Sequence, residues 1–331
     1  MRHLRIAALV MSILLVGALA VLAPAAQAHP QRHVHPRPSP SVSLSPSVSP
    51  SPSPSVSPTG SLTNCWASPH TCGYPDASNT GVPTGHTLTT VSGDVTLSTP
   101  GQVYQDYEVT GCINVTADGV TIQYVKVHCN SVEAIEHRDL GIKDATPLKV
   151  LDSEVDCVGQ VGVTAIGDTN LDVERTNVYG CENGFDLDQW DTVKDNWVHN
   201  LPSTDVSHTD GIQLAHYLDG CSNSTCEVAH SRLITVQHNS ITAQNDVGAN
   251  GTSALISNPV GDESLVVDGN LLDGGAFTLY CDYQGTADGN SFYTNNRFGR
   301  SAQYGPATGC SDEAHNTGNV YDDDNSPIPL D

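Results

Sequence analysis

The residues best suited to chemistry lie in one short stretch, His208-Thr209-Asp210-Gly211-Ile212-Gln213. An imidazole and a carboxylate two residues apart can act as a general acid/base pair, the carboxylate orienting the ring and raising its pKa. A buried structural histidine bonded to a turn aspartate would leave the same pattern. Asp186 and Asp188 add two further carboxylates, which on one extended strand would sit about 6.5 to 7 Å apart at the backbone. Paired carboxylates flanking a glycosidic bond are the minimum for hydrolysis, at separations of about 5 Å for retention and roughly 6.5 to 9.5 Å for inversion. Asp186, Asp188 and Asp210 also suit a calcium ion, which takes roughly six to eight oxygen ligands and would grip a uronate carboxylate for β-elimination.

What must position these groups is a repeat. Seven segments align without gaps, ending at Val127, Val155, Val178, Val198, Ile241, Leu272 and Phe298. Five positions earlier each carries another large residue: Ile122, Val150, Val173, Val193, Val236, Val267 or Tyr293. Two positions before the end the column reads Val125, Ser153, Thr176, Asn196, Asn239, Asn270, Asn296. Asn at one equivalent turn position can stack into a ladder, each amide donating to one neighbour and accepting from the other. Coils of roughly 20 to 30 residues with short strands predict an all-β, right-handed parallel β-helix.

A second strand joins most repeats, beginning at Glu133, Gly162, Gly184, Gly211, Ser253 and Ala276. Strand alternation assigns Val163, Ala165, Phe185, Leu187, Ile212, Leu214, Ala254, Ile256, Phe277 and Leu279 to the interior. The outward face then carries Glu136 and Arg138, Thr164 and Ile166, Asp186 and Asp188, Gln213 and Ala215, Leu255 and Ser257, and Thr278, Tyr280 and Asp282. With coils about 4.8 Å apart, Glu136, Arg138, Gln213, Tyr280 and Asp282 become candidate substrate contacts in a sugar-binding groove. Two insertions, 201–209 and 217–232, flank the strand Gly211–His216 and are read as groove walls. His199, His216 and His238 also lie in this region, where a lone histidine is most simply structural.

Secretion is expected. Arg2 and Arg5, an apolar run from Ile6 to Leu22 and the small-residue site Ala26-Gln27-Ala28 read as a signal peptide over residues 1–28. Residues 29–61, rich in Pro and Ser, cannot bury enough apolar surface to fold and read as a spacer. The β-helix domain is assigned to 62–331, with the clear coils over about 119–299. The ten cysteines, none in a CxxC pair, favour disulfides over a metal site; Cys65 with Cys72 and Cys221 with Cys226 are local pairs permitted by spacing. A net charge of −24, from 37 acidic and 13 basic residues, argues against nucleic-acid and anionic membrane partners. The acidic end, Tyr321-Asp322-Asp323-Asp324-Asn325, reads as a solvated tail.

The repeats, the inserted coil and the HTDGIQ motif, with Gln237-His238-Asn239-Ser240-Ile241 after it, resemble the pectate-lyase-like superfamily of secreted β-helix proteins over residues 86 to 320. Within that superfamily the chain more closely resembles bacterial members with an H-x-D-G-I-Q motif. That resemblance implies a polysaccharide substrate. The N-T-D motif of polygalacturonases is similar to His208-Thr209-Asp210, but their paired Asp-Asp, Gly-His-Gly and Arg-Ile-Lys motifs are missing here. Against the calcium pectate lyases the missing piece is a clear arginine base, with Arg138 or Lys194 as the candidates. The expected function is polysaccharide cleavage, leaning to β-elimination with calcium. Glycoside hydrolysis and a non-catalytic carbohydrate-binding or cell-surface protein are the alternatives, and on any of these readings the protein is expected to be an extracellular monomer that can associate with the cell wall.

Overall fold

The computed structural model describes residues 64–137, 146–188, 190–204, 207–214, 233–244, 248, 251–257, 264–281, 291–310, 315–328 and 330. These belong to one compact unit, Pro58–Asp331. Strand after strand pairs in parallel with its equivalent one coil away, in one nine-stranded and one seventeen-stranded sheet. The larger sheet is two rows of strands, joined where Glu154–Asp168 and Asn177–Leu187 run through the bend between them. Among the described residues there is no α-helix. The chain is a right-handed parallel β-helix, as its repeats imply.

The aligned columns form the core. Val127, Val155, Val178 and Val198 are in register from coil to coil, as are Ile122, Val150, Val173, Val193, Val236, Val267 and Tyr293, and all are buried. The amide ladder is present. Asn196 Nδ2 donates to Asn239 Oδ1 (3.1 Å), Asn239 to Asn270 (3.0 Å) and Asn270 to Asn296 (3.0 Å). It runs one coil beyond the sequence alignment, to Asn319 (3.0 Å). Each of these Oδ1 atoms also accepts the backbone N–H of the preceding rung. The residue before each ladder position is left-handed: Tyr124, Asp152, Arg175, Asp195, His238 and Asn295 have φ between 47° and 57°, and Gly269 and Gly318 occupy the same place. A non-glycine there costs about 1 to 2 kcal/mol, which the ladder on the adjoining residue offsets.

Among the described residues four disulfides are formed. Cys65–Cys72 is the pair that local spacing suggests, and Cys112–Cys129, Cys157–Cys181 and Cys281–Cys310 cross-link the coils. Cys221 and Cys226 lie outside the described residues. The segment from Asn64 to His86 runs along the left-handed corner against the order of the coils. The Trp66 backbone N–H donates to Asp322, Tyr74 stacks on His238 at 5.0 Å, the Gly81 N–H bonds Arg175 O, and His86 packs on Tyr124 at 3.9 Å. His199 is structural, bonding Asn177 and stacking on Trp197.

Simple alternation fails in the second strand of each coil. Two consecutive positions turn inward at the bend, Ala134-Ile135, Ala165-Ile166, Gly184-Phe185, Gly211-Ile212 and Ala254-Leu255, all of them Gly or Ala first. The glycines are obligatory, since a Cβ on Gly184 would lie 2.4 Å from Gly211 O and one on Gly211 2.5 Å from Ala254 O. The extra residue shifts the phase by one. Ile166 and Leu255, expected outside, are therefore fully buried in line with Phe185 and Ile212. Ile256, expected inside, is buried at 1% exposure, although its register aligns it with Gln213 and Tyr280.

Replacing Asn239 by Ala would strand the Val193 carbonyl and the Asn196 backbone N–H and would remove one of the donors to Asn270 Oδ1. Each buried unsatisfied group costs about 1 to 3 kcal/mol. The expected result is a loss of about 3 kcal/mol or more, read as a lower urea midpoint at unchanged slope.

Candidate functional site

Two columns, three residues apart on each coil, build one face. One reads Glu133, Thr164, Asn183, Asp210, Ser253; the other Asn114, Glu136, Gly167, Asp186, Gln213, Ile256, Tyr280, Thr308. Side-chain bonds tie the columns: Thr164 Oγ1 donates to Asp186 Oδ2 (3.1 Å) and Asn183 Nδ2 to Gln213 Oε1 (3.2 Å). Near Glu133 and Glu136 the face opens into a cleft of about 470 Å³ that also touches Asp94 and Asn114.

His208 and Asp210 meet as their spacing suggests. His208 Nδ1 lies 2.8 Å from Asp210 Oδ2, and Ser253 Oγ donates a short bond to Asp210 Oδ1. Asp210 is fully buried, whereas the His208 side chain is 54% exposed. The Asp210 backbone N–H bonds Asn183 Oδ1, and the His208 N–H bonds Glu182 Oε1. The assembly therefore holds the imidazole from behind and leaves Nε2 toward solvent. The Asp210 hydrogen bond lifts the His208 pKa above the ordinary imidazole value. Burial pushes the Asp210 carboxyl up, against the bonds from His208 and Ser253 that favour its charged form.

Asp186 has a different environment. Its Oδ1 is buried with no partner among the described residues, and its pKa is raised to about 6 by desolvation, with the nearby Asp210 charge adding to the effect and Thr164 opposing it. A carboxyl of that kind is a proton donor near neutral pH. Beside it Gly167 has no side chain, and a Cβ there would lie 2.3 Å from Glu133 Oε1. The Glu133 carboxylate fills that space, and one oxygen each from Glu133, Glu136 and Asp168 lies within 4.8 Å of the others.

Several expectations need correction. Asp188 is buried, 8% exposed, beyond the end of its strand, its N–H bonded to Asp191. It is no outward partner of Asp186. Asp186, Asp188 and Asp210 are not gathered as ligands, because both Asp210 oxygens are taken; among the described residues the trio at ligand spacing is Glu133, Glu136 and Asp168. Thr164 and Ser257 are buried. Lys194 belongs to the nine-stranded sheet and points to Asp195 (3.8 Å), so it does not serve the groove. Phe277, assigned to the core, is half-buried and packs edge-on to Tyr280 (5.6 Å) and beside the exposed Tyr304 (5.7 Å), an aromatic surface at the far end of the face. Arg138, Ala215, His216 and Asp282 lie outside the described residues, as does the second inserted wall, 217–232. The sequence reading missed Glu133, Asp168, Glu182, Asn183 and Ser253. A three-residue column spacing, rather than strict alternation, is the signal that would have found most of them.

No protein-family model matches the chain, and no curated protein matches its sequence. Among solved structures it is similar to the crystal structure of pectate lyase Pel9A, at 13% identity and TM-score 0.32. The likeness covers 67% of this chain and 60% of that one, so the match spans less than two thirds of the pectate lyase.

The Asp186 environment predicts a pH-dependent stability. Its folded pKa lies above the unfolded value of 3.8, so its stabilising contribution is complete below pH ~4 and lost as pH rises through about 6. Asp186→Asn is expected to be more stable than the wild type at pH 7 by on the order of 2 kcal/mol, with no gain near pH 3, by urea unfolding. Equal stability at both pH values would show that Asp186 ionises as freely as it does unfolded.

Proposed function

We propose that the chain is a secreted polysaccharide-cleaving enzyme acting by β-elimination on a uronate-containing glycan. The observation that carries this reading is the His208–Asp210–Ser253 assembly, an oriented, exposed base of raised pKa set one coil from a carboxyl with a pKa of about 6. His208 Nε2 takes the proton from the carbon next to the uronate carboxyl. The electron pair left there forms the C4=C5 double bond, the bond from C4 to the glycosidic oxygen breaks, and Asp186 delivers a proton to that oxygen. Both residues return to their starting states by exchange with water. Gln213 and Tyr280, on the Asp186 column, hold the chain along the axis.

A net charge of −24 repels an anionic glycan. Glu133, Glu136 and Asp168 would hold a divalent cation, which when bound neutralises the uronate carboxylate. Their oxygen-only chemistry fits calcium and supplies part of its shell. Hydrolysis is the second reading, favoured by the Asp186 carboxyl, whose environment is that of a glycosidase general acid. Four disulfides suit an extracellular protein, consistent with removal of residues 1–28 and with 29–61 as a spacer.

The deciding assay incubates the protein with acidic and neutral polysaccharides, with calcium or with chelator, reading unsaturated uronate absorbance and reducing ends. Absorbance that disappears with chelator is the expected result; reducing ends without absorbance would replace elimination by hydrolysis, and silence in both would leave a binding protein. His208→Ala should lower kcat by about 10² to 10⁴ with bound glycan retained, whereas Gln213→Ala should act mainly on KM.

A further inference from the structure

Past Gln213 the two columns of the groove face carry no charged residue. The column through Asp186 and Gln213 continues over Ile256, Tyr280 and Thr308. Phe277 precedes Tyr280 by three residues on one strand, as Asp210 precedes Gln213 and Ser253 precedes Ile256. Phe277 and Tyr280 are half-buried and edge-on to one another at 5.6 Å, and Tyr304, 66% exposed, adds a third ring 5.7 Å from Phe277. On the next coil Gly305 pairs with Phe277. A Cβ there would stand 3.7 Å from Phe277 Cε1 and 3.8 Å from Cδ1, so a side chain growing from it would start at the ring, and glycine leaves that edge open.

A uronate at these rings would need a cation beside it. Past Arg232 the sequence has two Lys or Arg residues, Arg297 and Arg300, and both are engaged by the acidic C-terminal end, which is folded against them and is not a solvated tail. Asp322, 2% exposed, accepts from Arg297 Nε (2.6 Å), while Arg300 donates to Asp323 (2.6 Å) and Asp324 (2.8 Å) and lies 3.8 Å over the Tyr321 ring. An uncharged sugar makes no such demand. Its C–H face packs on an aromatic ring, and its hydroxyls exchange hydrogen bonds with a tyrosine O–H at the rim. Covering the exposed rings also removes apolar surface from water.

We propose that Phe277, Tyr280 and Tyr304 form a subsite for an uncharged pyranose of the same glycan whose uronate lies at His208, so that the substrate is a mixed chain rather than a pure polyuronate. The rings continue the column that carries Asp186 and Gln213, and Tyr280 stands two coils past Gln213, about 10 Å along the axis, within the reach of one oligosaccharide. That continuity makes the glycan the occupant. The use of the subsite rests on cleavage at His208; its binding of a neutral sugar does not. It sets which stretch of the chain is presented for cleavage, with the acidic end of the face on uronates and the aromatic end on a neutral unit.

The test is saturation-transfer NMR on the full chain, titrated with cellotetraose, mannotetraose, xylotetraose and galactotetraose, alongside tetragalacturonate. Transfer to the ring C–H protons of at least one neutral tetrasaccharide is expected. Its affinity should fall about tenfold in Tyr304→Ala and in Phe277→Leu, which lose a ring, and stay unchanged in Phe292→Ala, which removes a 37% exposed ring stacked on His315 in the other sheet. Thermal melting of each variant separates loss of binding from loss of fold, and Tyr304 is exposed enough for its variant to fold. Three outcomes overturn the proposal: no neutral tetrasaccharide binds, tetragalacturonate alone binds, or binding survives in folded Tyr304→Ala and Phe277→Leu protein. Polyuronate cleavage without neutral binding would remove the subsite and leave elimination standing, whereas neutral binding without cleavage would do the reverse.

Discussion

The amide ladder from Asn196 to Asn319 sets the axial register on which the other placements depend. A parallel β-helix has no hairpins to lock one coil against the next, and its coils here differ in length by more than twofold, from 20 residues between Thr176 and Asn196 to 43 between Asn196 and Asn239. Each amide accepts from the backbone of the rung before it and donates to the rung after it. Variable loops can therefore be inserted without disturbing the corner. Coil spacing of about 4.8 Å is transmitted to the opposite face, where it decides that Asp186 lies beside Gln213 and Asp210 beside Ser253.

The same corner carries the backbone strain. Six non-glycine residues sit in the left-handed region there, and three of them, Tyr124, Arg175 and His238, are contacted by the segment that runs from Asn64 to His86. That segment thus covers the most strained line of the molecule and links its last coil to its early ones. Three disulfides between neighbouring coils add loop closure of 17 to 29 residues, each worth roughly 3 kcal/mol. The rigidity matters for the groove, where a buried carboxylate and a buried, unpartnered carboxyl oxygen both oppose folding.

Electrostatics separates the roles within the groove. Asp210 and Asp186 are both desolvated, yet among the described residues Asp210 has two side-chain partners on its oxygens and Asp186 has Thr164. The first can hold a charge that serves His208, and the second keeps its proton up to a pH of about 6. Glu133, Glu136 and Asp168 are half-buried and face one another, a separate concentration of negative charge at one end, while Phe277, Tyr280 and Tyr304 make the other end aromatic. The face is thus graded along the axis from charged to apolar.

The sequence by itself determined the solenoid, because its period is local: each coil repeats the same apolar spacing and the same turn amide, and each must stack on a similar neighbour to bury them. It also determined the His208–Asp210 contact, since two residues at one turn meet whatever surrounds them. Only the tertiary structure decided which other side chains join that pair. The extra inward residue at each bend, Ala165 before Ile166 or Gly211 before Ile212, changes the phase by one and moves Ile166 and Leu255 into the core and Phe277 toward the surface. Gln213 and Glu136 keep the outward places that alternation gives them because each directly follows the inward pair of its coil, Gly211-Ile212 and Ala134-Ile135. Asp188 does not, since burial depends on where the strand ends. Ser253 reaches Asp210 across 43 residues, and Asp322 reaches Trp66 across 256; contacts that distant are made by stacking register and chain reversal, which no local spacing encodes.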